Sequence, residues 1–221
     1  MDLLEAMTER HSVRSYTEQK LPDDLILELQ ADIEACNQQS GLNIQLVANE
    51  PNAFSGIMAH YGKFINVRNY IALVGKKGSG LDEKIGYYGE KLVLRATQLG
   101  LDSCWVALTY SKGKCACKVA KDESLRCVIA LGYGKNHGMP HKSKPMEALC
   151  KAANKPDWFR SGMKAAMLAP TATNQQKFLF TLTGDTVTAE ATGGFYSKVD
   201  LGIVKYHFEL GAGLDNFKWR E

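Results

Sequence analysis

Arg10-His11-Ser12-Val13-Arg14-Ser15-Tyr16 brings two arginines and two serine hydroxyls together in seven residues, just after the apolar Leu3, Leu4 and Met7. A guanidinium presents a planar fork of donors that matches a phosphate, and serine adds a short hydroxyl donor. Residues 2–9 have the spacing of a short amphipathic helix, so the cluster is expected where that helix ends. The same residues would also make a solvated basic turn, the usual surroundings of arginine. What accompanies the cluster further along the chain decides between the two.

The chain has 221 residues, room for one large domain or two small ones. Hydrophobic residues make up 45% and charged residues 23%, the balance of an ordinary globular protein. A net charge of +3 is too small to call for a nucleic-acid or membrane partner. No apolar run approaches the ~18 residues of a spanning helix, and Met1-Asp2-Leu3-Leu4-Glu5 lacks a signal-peptide layout, so a cytoplasmic location is expected. Of six cysteines, Cys36 and Cys127 stand in apolar surroundings and are expected in the core. Cys115-Ala116-Cys117 is a close pair without the second pair of a zinc site, and His137 and His141 in their loop do no better.

Along the chain, Pro22 or Asp23 opens a second helix with Leu25, Ile26, Leu29 and Ile33 at helical spacing, and Gly41 stops it. Residues 42–47 alternate as a strand, and 69–74 read as a strand buried on both faces. Residues 82–99 form a long helix ended by Gly100, followed by a strand or extended turn over 102–108. A lysine-rich helix is expected over 112–122 and a buried strand over 125–131. Gly75-Lys76-Lys77-Gly78-Ser79-Gly80 lacks the ending of a phosphate-binding P-loop. The glycines at 132 and 134 are not followed by a helix, so a dinucleotide fingerprint fails there. A helix over 156–168, a polar loop over 169–176, a hairpin of 178–183 and 186–191 around Gly184-Asp185, and a helix over 200–210 complete the chain.

Two parts of the chain echo each other. Asn43-Ile44-Gln45 recurs as Asn174-Gln175-Gln176 ahead of a strand, and Leu99-Gly100-Leu101-Asp102 with Trp105 recurs as Ala212-Gly213-Leu214-Asp215 with Trp219. This implies two related halves, 1–150 and a shorter 151–221, packed as a pseudo-two-fold pair.

The residues now carry a resemblance. Arg10 to Tyr16 resembles the N-terminal Arg-Arg/His-Ser-x-Arg-x-Tyr/Phe signature of the FMN-dependent nitroreductases. Ala169-Pro170-Thr171-Ala172-Thr173-Asn174-Gln175-Gln176 is similar to their Ala-Pro-Ser-x-x-Asn-x-Gln loop. Leu99-Gly100-Leu101-Asp102-Ser103-Cys104-Trp105 is similar to their Leu-Gly-Leu-Gly-Ser-Cys-Trp segment. Ile129 to Gly134, then Lys142-Ser143-Lys144-Pro145, is similar to their Leu-Gly-Tyr-Pro ending and its basic pair. The loop stands in the second half rather than the first, which fits the tandem, pseudo-dimeric branch of the family.

The resemblance implies an α+β fold (an α/β sandwich) in which a mixed, mostly antiparallel sheet is flanked by helices. It implies FMN as cofactor, held in one composite site. Arg10, His11, Ser12 and Arg14, with Lys142 and Lys144, would meet the phosphate. Pro170, Thr171, Ala172 and Asn174 would meet the ring, and Cys104 and Trp105 would offer backbone N–H groups near N5. No arginine cluster precedes residue 158 in the second half, so one flavin per chain is expected. The flavin carries the chemistry, so no catalytic side chain is expected. NAD(P)H would deliver hydride and a nitro compound, quinone or similar small molecule would accept it, in a ping-pong cycle. A non-catalytic FMN-binding protein, for storage or sensing, is the alternative. The resemblance implies either a monomeric pseudo-dimer or a homodimer.

Overall fold

A computed structural model describes residues 1–220. In chain order its elements are α1 (Leu3–Glu9), α2 (Asp23–Ser40), β1 (Gln45–Val47), α3 (Ile57–Tyr61), β2 (Asn69–Lys76), α4 (Leu81–Gln98), β3 (Asp102–Val106), β4 (Glu123–Gly132), β5 (Cys150–Lys151), α5 (Asp157–Ala166), β6 (Phe178–Thr183), β7 (Thr186–Ala191), α6 (Ser197–Ala212) and β8 (Lys218–Trp219). They divide into two compact units. One comprises Glu9–Leu81 and Leu92–Met139; the other comprises Met1–Thr8, Asp82–Lys91 and Pro140–Glu221. The halves at 1–150 and 151–221 concern internal likeness, whereas these units follow contact and interleave along the chain.

The unit containing Glu9–Leu81 is built on an antiparallel sheet in the order β1-β2-β4-β3. β2 is buried from Asn69 to Gly75, as its lack of polar residues requires of a central strand. α2 buries Leu29, Ile33 and Cys36, one face at three- and four-residue spacing. It ends at Gly41 in the left-handed region, φ 71°, where a side chain would be strained. One turn earlier, the Asn37 amide accepts from Ile44 N–H at 2.8 Å and donates to Ile44 C=O at 2.9 Å, tying the helix end to the chain entering β1. Cys36 and Cys127 are core residues, as expected.

The other unit carries the sheet β5-β6-β7-β8, whose central β6–β7 pair is antiparallel and whose outer pairs are parallel. The β6–β7 hairpin turns at Gly184-Asp185, with Gly184 at φ 64° and Thr183 opposite Thr186. Its core is aromatic. Phe208 of α6 stacks on Phe180 at 4.7 Å and meets Phe159, Phe217 and Trp219 at 5.2–5.7 Å. Such ring pairs contribute roughly 0.5–1.5 kcal/mol each beyond the area they bury. His207 is fully buried, with Nδ1 3.1 Å from Ala165 C=O and Nε2 2.9 Å from Glu90 Oε1. A carbonyl only accepts, so Nδ1 is the donor to Ala165.

In this unit, residues 82–91 of α4 meet α6 backbone to backbone. A Cβ at Gly86 would stand 1.9 Å from Val199 O, and one at Gly202 would stand 1.9 Å from Glu83 O. Glu83 also pairs with Lys205 at 2.5 Å, and Tyr87 donates to Glu209.

The structure corrects one expected element. The helix expected over 112–122 is a single 3-10 turn, Lys112–Lys114, followed by extended chain. The backbone N–H groups that a helix would use are taken by side chains of the sheet. Ala116 N–H donates to the Tyr70 hydroxyl at 2.9 Å, Lys118 N–H to Gln45 Oε1 at 2.8 Å, and Ala120 N–H to Glu123 Oε2 at 2.9 Å. Among the described residues no helix is long and apolar enough to cross a membrane.

Gly202→Ala should lower unfolding free energy by more than about 3 kcal/mol in urea titrations, because backbone cannot yield as a side chain can. Gly78→Ala, with nothing within 4 Å of the added carbon, should change it by less than about 1 kcal/mol.

Candidate functional site

β3 is the edge of its sheet, and the arginine segment fills that edge. Ser12 bridges Ser103 in parallel, and Val13 N–H donates to Ser103 C=O at 2.9 Å. The segment is then held on its other side. Ile65 N–H donates to Arg14 C=O at 2.9 Å, Tyr16 N–H to Ile65 C=O at 3.0 Å, and Lys135 N–H to Ser15 C=O at 2.9 Å. Tyr16 is buried and its hydroxyl donates to Val13 C=O at 2.7 Å, closing the turn from within.

This threading gathers residues ninety positions apart. Arg10, buried, and Arg14, exposed, both act electrostatically on the buried Cys104 thiol, and Ser12 hydrogen-bonds it. Burial nevertheless dominates and pushes the Cys104 thiol pKa up, so this cysteine is a packed residue rather than a nucleophile. His11 packs at its Cβ against Gly138, where an added carbon would come within 2.7 Å. Trp105 is half-buried on β3 opposite Ile129. Asp102 is occupied on the same strand, accepting from Gly134 N–H at 2.9 Å and facing His137 Nδ1 at 3.2 Å. Two guanidiniums whose charge is felt at one buried thiol, with Ser12 on the same strand edge, supply donor types that suit a phosphate dianion. The buried Ser103 hydroxyl beside them has no hydrogen-bond partner among the described residues.

The other predicted residues meet within their own unit. Pro170 leads into a 3-10 turn, Ala172–Asn174, in a loop where Thr173, Asn174 and Gln176 all hold positive φ of 46–55°. Non-glycine residues in that region store strain and persist only where their surroundings enforce it. The enforcement is visible. Lys144 Nζ donates to Gln175 C=O and Gln176 C=O at 2.7 and 3.0 Å. Lys142 C=O accepts from Asn174 Nδ2 at 3.0 Å and Gln176 Nε2 at 2.8 Å. Thr171 Oγ1 accepts from Gln176 N–H at 3.1 Å. The structure therefore brings the lysine pair to the loop, with the Lys144 ammonium engaged on loop carbonyls, and brings Arg10, Ser12 and Arg14 to Cys104.

One antiparallel sheet and one mixed sheet, each with packed helices, define an α+β protein. Over residues 2–212 the chain matches the model of the family described as "Putative TM nitroreductase", and it belongs to that family. Among solved structures it is similar to a Thermotoga maritima protein described as a "putative nitroreductase", with 23% identity, 96% of this chain and 83% of that one covered, and a TM-score of 0.66. It is also similar to a Desulfovibrio desulfuricans protein described as a "putative nitroreductase in complex with fmn" (20% identity, 67% and 95% covered, TM-score 0.53). A third is a Parabacteroides distasonis protein described as a "Putative NADH dehydrogenase/NAD(P)H nitroreductase" (18%, 66% and 95%, 0.53). No curated protein matches. The fold is the nitroreductase fold, as the resemblance implied.

Sequence reasoning missed Asp200. It lies in the first turn of α6, 3% exposed, and its two oxygens accept from Ala172 N–H at 2.9 Å and Gln175 Nε2 at 2.7 Å. An acidic residue opening a helix reads as a favourable dipole contact; nothing in the sequence shows that it is buried beneath the loop. Burial raises its pKa to about 6 against the two hydrogen bonds, which act in the opposite sense. The native state thus keeps a proton that the unfolded chain has lost by about pH 4. The stability this confers is fully present below about pH 4 and is lost as the pH rises through 6, on the order of 3 kcal/mol. Asp200→Asn should flatten that slope in urea titrations at stepped pH.

Proposed function

We propose that this chain is an FMN-dependent oxidoreductase that takes hydride from NAD(P)H and passes electrons to a nitro compound, quinone or similar small acceptor in a ping-pong cycle. The observation that carries the reading is the pairing of the Arg10–Arg14 segment with the edge of β3, which sets both guanidiniums where their charge is felt at Cys104. Family membership and the FMN-bound Desulfovibrio desulfuricans relative support it.

In this reading Arg10 and Arg14 neutralise the FMN phosphate, and Ser12 donates a hydrogen bond to it. His11 keeps the segment closed against Gly138. Bound FMN supplies the redox chemistry, accepting hydride and giving it up. Thr171, Ala172 and Asn174, held in their strained conformation by Lys142, Lys144 and Asp200, present the loop to the ring, with Pro170 fixing its entry. The backbone about Cys104 and Trp105 offers N–H donors near the reacting nitrogen. No side chain of the chain serves as catalytic acid, base or nucleophile. One FMN per chain, a monomeric pseudo-dimer or a homodimer, and action in the cytoplasm complete the proposal.

Freshly purified protein, or protein titrated with FMN, should show bound-flavin absorption at one equivalent per chain. Arg14→Ala should weaken FMN binding by roughly 10- to 100-fold, the worth of one charge-assisted contact; unchanged affinity refutes the phosphate grip. Anaerobic mixing with NADH and with NADPH should bleach the flavin with at least one of them. If neither does, the protein is a flavin binder and not a reductase.

A further inference from the structure

Away from the residues assigned to FMN, Cys115-Ala116-Cys117 runs extended across the unit containing Glu9–Leu81. The Ala116 N–H is fixed on the Tyr70 hydroxyl at 2.9 Å, and that hydroxyl donates to Glu50 Oε2 at 2.8 Å. In extended chain the side chains before and after a fixed residue share a side. Both thiols accordingly pack, half-buried, on the core cluster that contains Tyr70 and Tyr110. Cys117 is close enough to act electrostatically on the Cys115 thiol. Both also open into one cavity of about 360 Å³, with Val119 and Leu125 as its apolar wall and Lys112, Glu123 and Ser124 as its polar rim. Cys36, Cys104, Cys127 and Cys150 are buried.

We propose that Cys115 and Cys117 form a two-thiol binding site for trivalent arsenic carrying one organic group. Ligand number selects this chemistry. Zinc needs four ligands, and among the described residues no group of three or more His, Cys, Asp or Glu could hold a metal ion. Geometry selects it again, because two thiols on the same core cluster and at the same cavity suit a pyramidal centre that binds them side by side rather than a linear one that holds them apart. Charge is the third argument. Burial, assisted by the neighbouring Cys117 and opposed by Tyr70, pushes the Cys115 thiol up to about 12, so it is neutral at pH 7. A product without charge fits a desolvated pair better than a bis-thiolate.

The reaction is a condensation without oxidation or reduction. A hydrated arsenical R–As(OH)₂ and two thiols give R–As(S–Cys)₂ and two waters. Two As–O bonds break, two As–S bonds form, and each thiol proton leaves with a hydroxide. The organic group R then rests on Val119 and Leu125.

The test is titration of the full chain with phenylarsine oxide, read by native intact-mass spectrometry. One phenylarsenic should bind per chain, stay bound in 2-mercaptoethanol and leave in 2,3-dimercaptopropanol. Cys115→Ser and Cys117→Ser should each weaken binding by about 100-fold or more, since each destroys the chelate; Cys150→Ala should leave it unchanged. Independently of any variant, the arsenical should protect Cys115 and Cys117 together from N-ethylmaleimide, as located by peptide mapping. The proposal is overturned by the absence of an adduct on the folded chain, by an adduct formed only in urea, by tight binding that survives in either serine variant, or by protection of a different pair.

Discussion

Two glycines set the geometry of the unit that contains α6. Gly86 and Gly202 let residues 82–91 of α4 approach α6 until backbone meets backbone, with no room for even a methyl group. Interiors are packed as tightly as organic crystals, so such an approach fixes both position and angle. Once α6 is seated, its neighbours are determined. His207 reaches Glu90 on one side and Ala165 on the other, Phe208 enters the aromatic core, and Asp200, two residues before Gly202, lies under the loop at 171–176. A buried His–Glu pair adds little net stability, because both groups are desolvated to make it. Its effect is to make any other register of these helices costly, since the pair would then be separated with both groups still desolvated.

The unit with the arginine cluster depends on a different constraint, an unfinished sheet. An edge strand leaves half its backbone groups unpaired. The segment at 12–13 satisfies part of the β3 edge and in doing so carries Arg10, Ser12 and Arg14 to Cys104. The basic cluster is thus positioned by main-chain pairing rather than by charge. Tyr16 secures it from beneath, buried and bonded to Val13 C=O, which suits an aromatic with one polar end in a core. The strained loop of the other unit follows the same logic with different means. Its positive φ angles are held by a lysine ammonium, a buried carboxylate and two amide side chains.

Periodic segments were readable from the sequence to within a few residues. The helix stopped by Gly41, the buried strand beginning at Asn69, the long helix before Gly100, and the hairpin at Gly184-Asp185 each carry a local cause: a left-handed glycine, a run without polar residues, or a turn that needs positive φ. The segment at 112–122 misled because its lysines suit a solvated helix face, while its fate was set by Tyr70, Gln45 and Glu123 from other elements. The echo between chain segments also has a structural side. α4 and α6 are each followed by a glycine at positive φ, Gly100 at 77° and Gly213 at 75°, then by an edge strand bearing Trp105 or Trp219.

The sequence alone determined the family and, through that resemblance, the fold class, together with the residue types suited to a phosphate, because short motifs are local and survive without coordinates. The tertiary structure alone decided which groups are spent and which remain available. Lys144 and Lys142 appear in the sequence as a basic pair, yet one ammonium and one carbonyl are committed to the loop. Asp200 appears as an ordinary helix-opening acid, yet it is buried with its pKa raised to about 6. Cys115 and Cys117 appear as a close pair short of a zinc site, yet both line one cavity. Desolvation and hydrogen-bond partnership arise from chain segments far apart in sequence, and no local pattern encodes them.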